Sequence, residues 1–249
     1  MSERGGGIPI RGDFIIRRQF NSIFQLNLKQ EEEDNMDKIQ AGLEKLISML
    51  PLKARQIEVG GKLGNLHKAI LKGFAEKGRP LNDQEIEKIV GKGNAAAALK
   101  SLQSKDLAVL DANGKLVGSY PWTSEKTKHN VTINGHVVNA MCAFDALATS
   151  QMFDTKTRIE SKCHVTNADI VLEQSGTKIL SAKPSEDVHF GIIWNSPTGC
   201  CAHSLCTEMV YLKDGKTAQQ WASECSQREV YTLKEAVDFS GQFFVPLVK

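Results

Sequence analysis

The chain has 249 residues, with 31 basic and 29 acidic side chains and a formal net charge of +2; 41% of its residues are hydrophobic and 24% charged. These are ordinary globular values, and the length suits one domain with a small appended one. A charge of +2 is too weak for nucleic acid or an anionic membrane, both of which need a concentrated basic face. The apolar stretches are too short to span a bilayer, so a soluble protein with neither kind of partner is predicted.

Residues 1–34 read as a poorly ordered extension. Met1 to Gly7 are polar and glycine-rich with no apolar segment behind them, so no secretory signal is seen. Residues 11–30 place Arg11, Arg17, Arg18 and Lys29 among Phe14, Ile15, Ile16, Phe20 and Ile23. Transit peptides share that pattern, but they are also serine-rich and this stretch is not, which favours a partner-binding extension or a poorly ordered tail. Helical spacing begins with Ile39, Leu43, Leu46, Ile47 and Leu50, capped by Asp34 or Asn35 and stopped by Pro51. A second helix is predicted over 62–76. Leu81-Asn82-Asp83 supplies a cap and a hydrophobic staple for a third, short helix carrying Ile86, Ile89 and Val90, which Gly91 and Gly93 end. Asn94 opens another helix through Leu99 and Leu102. Leu107–Leu110 and Lys115–Tyr120 then read as strands about the turn 111–114. Three helices followed by a hairpin form the winged-helix pattern.

Val131 to Val138 is a second hairpin around Asn134-Gly135, the strongest short turn signal. Residues 141–152 turn helical. Strands are expected near 157–163, 169–173, 177–182, 188–193 and 206–212, and helices at 217–224 and 233–240. The fold class is therefore α+β. It comprises an N-terminal three-helix winged-helix-like domain over 35–122, then a mixed or antiparallel sheet domain with flanking helices over 123–249.

Six cysteines, at 142, 163, 200, 201, 206 and 225, all lie beyond residue 141. Without a signal peptide they read as reduced thiols in the cytoplasm. Their spacing lacks C-x-x-C and fits no common zinc template, which disfavours a zinc enzyme. Two segments could carry chemistry. In Cys142-Ala143-Phe144-Asp145, a helix would put thiol and carboxylate on one face. Its apolar neighbours would raise the carboxyl pKa toward that of a proton donor at neutral pH. Taken alone, this tetrapeptide is read more readily as a core cysteine beside an incidental aspartate. In Pro197-Thr198-Gly199-Cys200-Cys201-Ala202-His203, a loop offers paired thiols suited to soft metals, or equally two small core residues. His203 is read first as a structural histidine, Cys163 as structural, and Cys206 and Cys225 as core or interface residues.

Together these pieces resemble the organomercurial (alkylmercury) lyase family. Asn139 to Leu147 is similar to the family's Cys-x-x-Asp helix, and Cys200-Cys201 with a following histidine to its second cysteine segment. Gln219-Gln220-Trp221-Ala222-Ser223, Leu233-Lys234-Glu235-Ala236 and Leu110 to Gly118 lend support, so the resemblance spans about 36–245. It departs from the family at Met141, where an aromatic is familiar, and at Ala202, Ser204 and Leu205. The resemblance implies catalytic Cys142, Asp145 and Cys200, with mercury bound by the same three and Cys201 as the alternative thiolate. It further implies an organomercurial substrate, no cofactor beyond reduced thiols, low-molecular-weight thiols as acceptors, and mercuric reductase as a partner for the released ion. The rival readings are a winged-helix thiol- or metal-sensing regulator and a non-catalytic soft-metal-binding homologue. The segment 94–101 offers little to contact DNA bases, which weakens the first.

Overall fold

The computed structural model describes residues 29–30, 33–195 and 205–249. The chain divides into two compact units, Met1–Ala41 and Gly42–Lys249. Among the described residues of the first, 33–41 are helical. The second unit begins with helical residues 42–49 (α1) and continues through α2 (Leu52–Val59), α3 (Gly61–Lys77), α4 (Asp83–Val90) and α5 (Ala95–Gln103). Pro51 does stop α1, but it stands at the N-cap of α2, a helix the sequence pattern does not announce. A proline lacks the N–H that a first turn leaves unused, so it can end one helix and introduce the next. Asn82 caps α4 as the sequence suggests: its side chain accepts from the Glu85 N–H, and Glu85 reaches back to the Asn82 N–H.

Eleven strands among the described residues form two antiparallel sheets. The larger sheet runs β1 (Val109–Leu110), β2 (Leu116–Ser119), β3 (Trp122–Thr123), β5 (His136–Ala140), β4 (Asn130–Ile133), β6 (Lys156–Lys162), β7 (Asp169–Ser175) and β8 (Lys178–Lys183) in spatial order. The β1–β2 hairpin is thus the edge of the sheet that continues into the second half of the chain. The β4–β5 register pairs Ile133 with His136, leaving Asn134 (φ 50°) and Gly135 (φ 80°) as a two-residue turn. Both angles are left-handed, as a type I′ turn requires. Along β6 and β7, Thr157, Ile159, Ser161, Ile170, Leu172 and Gln174 alternate inward. The opposite face carries paired charges, among them Arg158 and Lys156 against Glu173.

The smaller sheet is β10 (Met209–Leu212), β9 (His189–Ile193) and β11 (Arg228–Thr232), with β9 central. β11 has only Tyr231 fully buried, so its sequence lacks the apolar alternation that marks a strand. The strand expected from 206 begins at Met209, because Leu205–Glu208 form a 3₁₀ turn. Helices α6 (Ala143–Phe153) and α8 (Leu233–Phe244) pack on each other, and α6 also touches β4, β5, β6 and β7 of one sheet and β10 of the other. α6 is buried nearly all round, with Asp145, Thr149 and Ser150 enclosed among its apolar residues. Helix α7 (Gly215–Ser223) packs on β9 and β11.

Candidate active site

The site forms where β5 hands the chain to α6. Cys142 has an extended backbone and serves as the N-cap of α6, and its Sγ accepts from the Asp145 N–H at 3.4 Å. The sequence suggested that Cys142 and Asp145 share a helical face. They meet instead as cap and third helical residue, the spacing of a capping box with sulfur in place of a hydroxyl. The Cys142 thiol donates to Asp145 Oδ2 at 2.8 Å. Both residues are buried, and Phe144 between them is held by Phe190, Phe239, Phe243 and Phe244.

A third group arrives from the other sheet. The 3₁₀ turn before β10 carries Cys206, and the ligand atoms of Cys142, Asp145 and Cys206 all lie within 4.8 Å of one another. Met209, the first residue of β10, places its Sδ 3.6 Å from Cys142 Sγ. Tyr211, two residues on, ties β10 to the start of α6 by donating its hydroxyl hydrogen to the Ala143 carbonyl at 3.1 Å. Asp145, Cys206 and Met209 also line a cavity of about 10 Å³ with Leu46, Tyr120 and Phe243. That is room for little more than one water-sized group.

Burial sets the electrostatics. It raises the Asp145 carboxyl to about 7, against the partial opposition of the hydrogen bonds with Cys142. The Cys142 thiol is pushed well above its ordinary value by burial first, then by its hydrogen bond with Cys206 and the neighbouring Asp145 charge. Near neutral pH the pair therefore holds Cys142 as a thiol, beside a carboxyl poised to gain or lose a proton. Two thiols and a carboxyl at this separation could grip a soft ion, since thiolates favour such ions over hard ones.

The structure brings together Cys142 and Asp145 of the residues singled out from sequence. Cys200, Cys201 and His203 lie outside the described residues. Cys206, read from sequence as a core or interface residue, is buried as such but faces Cys142 and Asp145. Its position follows from the 3₁₀ turn, which no hydrophobic period reveals. Cys163 is buried and bridges to Tyr211 across the two sheets. Burial raises its thiol, but hydrogen bonds from Thr166, Lys213 and Val165 bring it below the ordinary value overall.

Two thiols and a protonatable carboxyl, enclosed in an α+β fold, are a set of groups suited to thiolate-based soft-metal chemistry. The alkylmercury lyase family model matches residues 122–245, the stretch that contains all three groups. Alkylmercury lyases of Bacillus cereus and Clostridium butyricum are each 24% identical to the chain over 196 residues, covering 79% of it and 88% of the relative. The crystal structure of the mercury-bound form of MerB2 shares the fold, with a TM-score of 0.66 at 20% identity over 85% of this chain and 98% of that one. Over residues 122–245 the chain carries the domain of the alkylmercury lyase family.

Proposed function

We infer that the protein is an organomercurial lyase, releasing a hydrocarbon and mercury(II) by protonolysis of a carbon–mercury bond. The observation that carries this reading is the convergence of Cys142, Asp145 and Cys206 inside 4.8 Å. Two thiolates in line across an ion, at the ~2.3 Å of thiolate–zinc bonds, would stand about 4.6 Å apart. That span fits within this cluster.

The reaction balances as R–Hg⁺ plus two thiols giving R–H, a dithiolate-bound mercury(II) and one proton. Asp145 accepts the Cys142 proton as sulfur bonds to mercury; its hydrogen bond to that thiol is already made. The second thiolate raises electron density on mercury and hence on the carbon. Asp145 then delivers the proton to carbon as general acid, a role suited to a pKa of about 7. The cavity has room for little more than one water-sized group, and so dry a setting strengthens these charges' influence. Because the thiols must be reduced, the reaction belongs to a reducing compartment such as the cytoplasm. Low-molecular-weight thiols or a mercuric reductase would take the ion away. No resident cofactor enters these steps. The N-terminal extension over 1–34 and winged-helix-like region over 35–122 belong to the same reading. It is supported by helices α3 to α5 preceding the β1–β2 hairpin and by a family match that begins at residue 122.

The second thiolate is assigned to Cys206, with Cys200 as the alternative that experiment decides. Purified, reduced protein is incubated with phenylmercuric acetate and excess thiol, and benzene is quantified by gas chromatography. Wild type should release benzene, Cys142→Ser and Cys206→Ser should release none, and Cys200→Ser should match wild type. Activity retained in Cys206→Ser but lost in Cys200→Ser would transfer the role to Cys200. No release by wild type, with mercury still bound, would leave a soft-metal-binding homologue.

A further inference from the structure

Met209 has no part in the chemistry above, yet its thioether touches the reactive thiol: Sδ lies 3.6 Å from Cys142 Sγ. The contact follows from local geometry. Cys206 sits within the 3₁₀ turn Leu205–Glu208, and Met209 is three residues on, at the point where the turn passes into β10. The turn ends at Glu208, so Cys206 and Met209 stand three residues apart across its junction with β10, and both line the cavity beside Asp145. The Cys142-x-x-Asp145 pair faces them from the start of α6. Four donor atoms, three of them sulfur, are thus brought to one place by two short segments. Met209 is buried, and it lines the same cavity as Asp145 and Cys206. An apolar residue would fill this place as well; a thioether adds a polarizable lone pair directed at a thiol that is to carry a soft ion.

We propose that Met209 is a third soft donor, its thioether contacting the mercury held by Cys142 and Cys206. This rests on the dithiolate reading of the site and adds a ligand to it. A third donor raises electron density on mercury while carbon is still attached, which favours protonation of the carbon. After cleavage the same contact slows departure of the product ion. Thioether sulfur carries no proton and no charge, so the atom balance of the reaction is unchanged.

The test uses full-length wild type and Met209→Leu, a volume-conserving change of the kind cores tolerate best. Each reduced protein is loaded with one equivalent of mercury(II) chloride and measured by mercury-edge X-ray absorption. Transfer of the ion to excess glutathione is then timed. Wild type should show two short mercury–sulfur distances and a longer third, and Met209→Leu only the two short ones. Release from Met209→Leu should be at least about fivefold faster, and benzene release from phenylmercuric acetate slower. A wild-type spectrum with two sulfurs only, or a variant that keeps the third distance, overturns the proposal. The wild-type spectrum needs no variant, so a folding defect in Met209→Leu cannot hide the answer. If the two short distances are themselves absent, the dithiolate reading fails instead, and the two failures are told apart in one spectrum.

Discussion

Asp145 is the residue on which the chemistry turns, and its burial makes a prediction with a sign. Its folded value of about 7 stands above the ordinary 3.8, so the native state binds this proton more tightly than the unfolded chain. The group's contribution to stability is therefore fully present below pH 3.8 and is lost as pH rises through 7. Asp145→Asn removes the titration while keeping the shape. Between pH 5 and 7.5, denaturant midpoints of wild type should fall relative to those of Asp145→Asn; parallel midpoints would show that the carboxyl is not perturbed. The same variant should cleave phenylmercuric acetate roughly 10²- to 10⁴-fold more slowly, the usual worth of a general acid, while still binding mercury through its thiols.

At the scale of elements, Cys142 has two duties that can be separated. As the N-cap of α6 it satisfies the Asp145 N–H, and as a thiol it meets the substrate. Serine is a preferred N-cap, whereas alanine at such a position costs about 1 kcal/mol. Cys142→Ser should thus melt close to wild type and be inactive. Cys142→Ala should be inactive and less stable by that amount or more, since it also leaves space in a packed core. Equal melting of the two variants would mean that the sulfur does not cap the helix. The Cys142–Asp145 pair was legible in the sequence because residues three apart meet in helical geometry, although the pattern read as a shared helix face and the structure makes Cys142 the cap. The partner Cys206 was not: a four-residue 3₁₀ turn ahead of a strand has no apolar rhythm, and its strand Met209–Leu212 is buried throughout rather than alternating.

Across the whole molecule, two histidines, His67 buried and His129 half-buried, couple the fold to acid. His67 accepts from the Gln56 side-chain N–H at 2.8 Å, and His129 lies 2.9 Å from Ser161 Oγ. Burial, then the charges of Lys53 and Lys128 respectively, lower each from 6.5 to about 4. Their contributions to stability are present above pH 6.5 and are lost as pH falls through 4. His67→Asn can keep an acceptor toward Gln56 without titrating. It should lose less stability than wild type between pH 7 and 4.5 in denaturant titrations, and an equal loss would sink the assignment. Gln56 also donates to the Leu247 carbonyl, so this acid-sensitive cluster holds the C-terminal turn to α2 and α3.

The sequence alone determined the local features: the Asn82 capping box, the Asn134-Gly135 turn, the alternation along β6 and β7, and the Cys142–Asp145 pair. Each depends on residues within a few positions of one another, where spacing and stereochemistry suffice. Only the tertiary structure decided which distant groups meet. It joined the β1–β2 hairpin to the large sheet, laid β11 beside β9 despite its polar sequence, and brought Cys206 and Met209 against Cys142, over sixty positions away. Those encounters are set by the burial of α6 between two sheets, a property of the packed chain that no short window of residues contains.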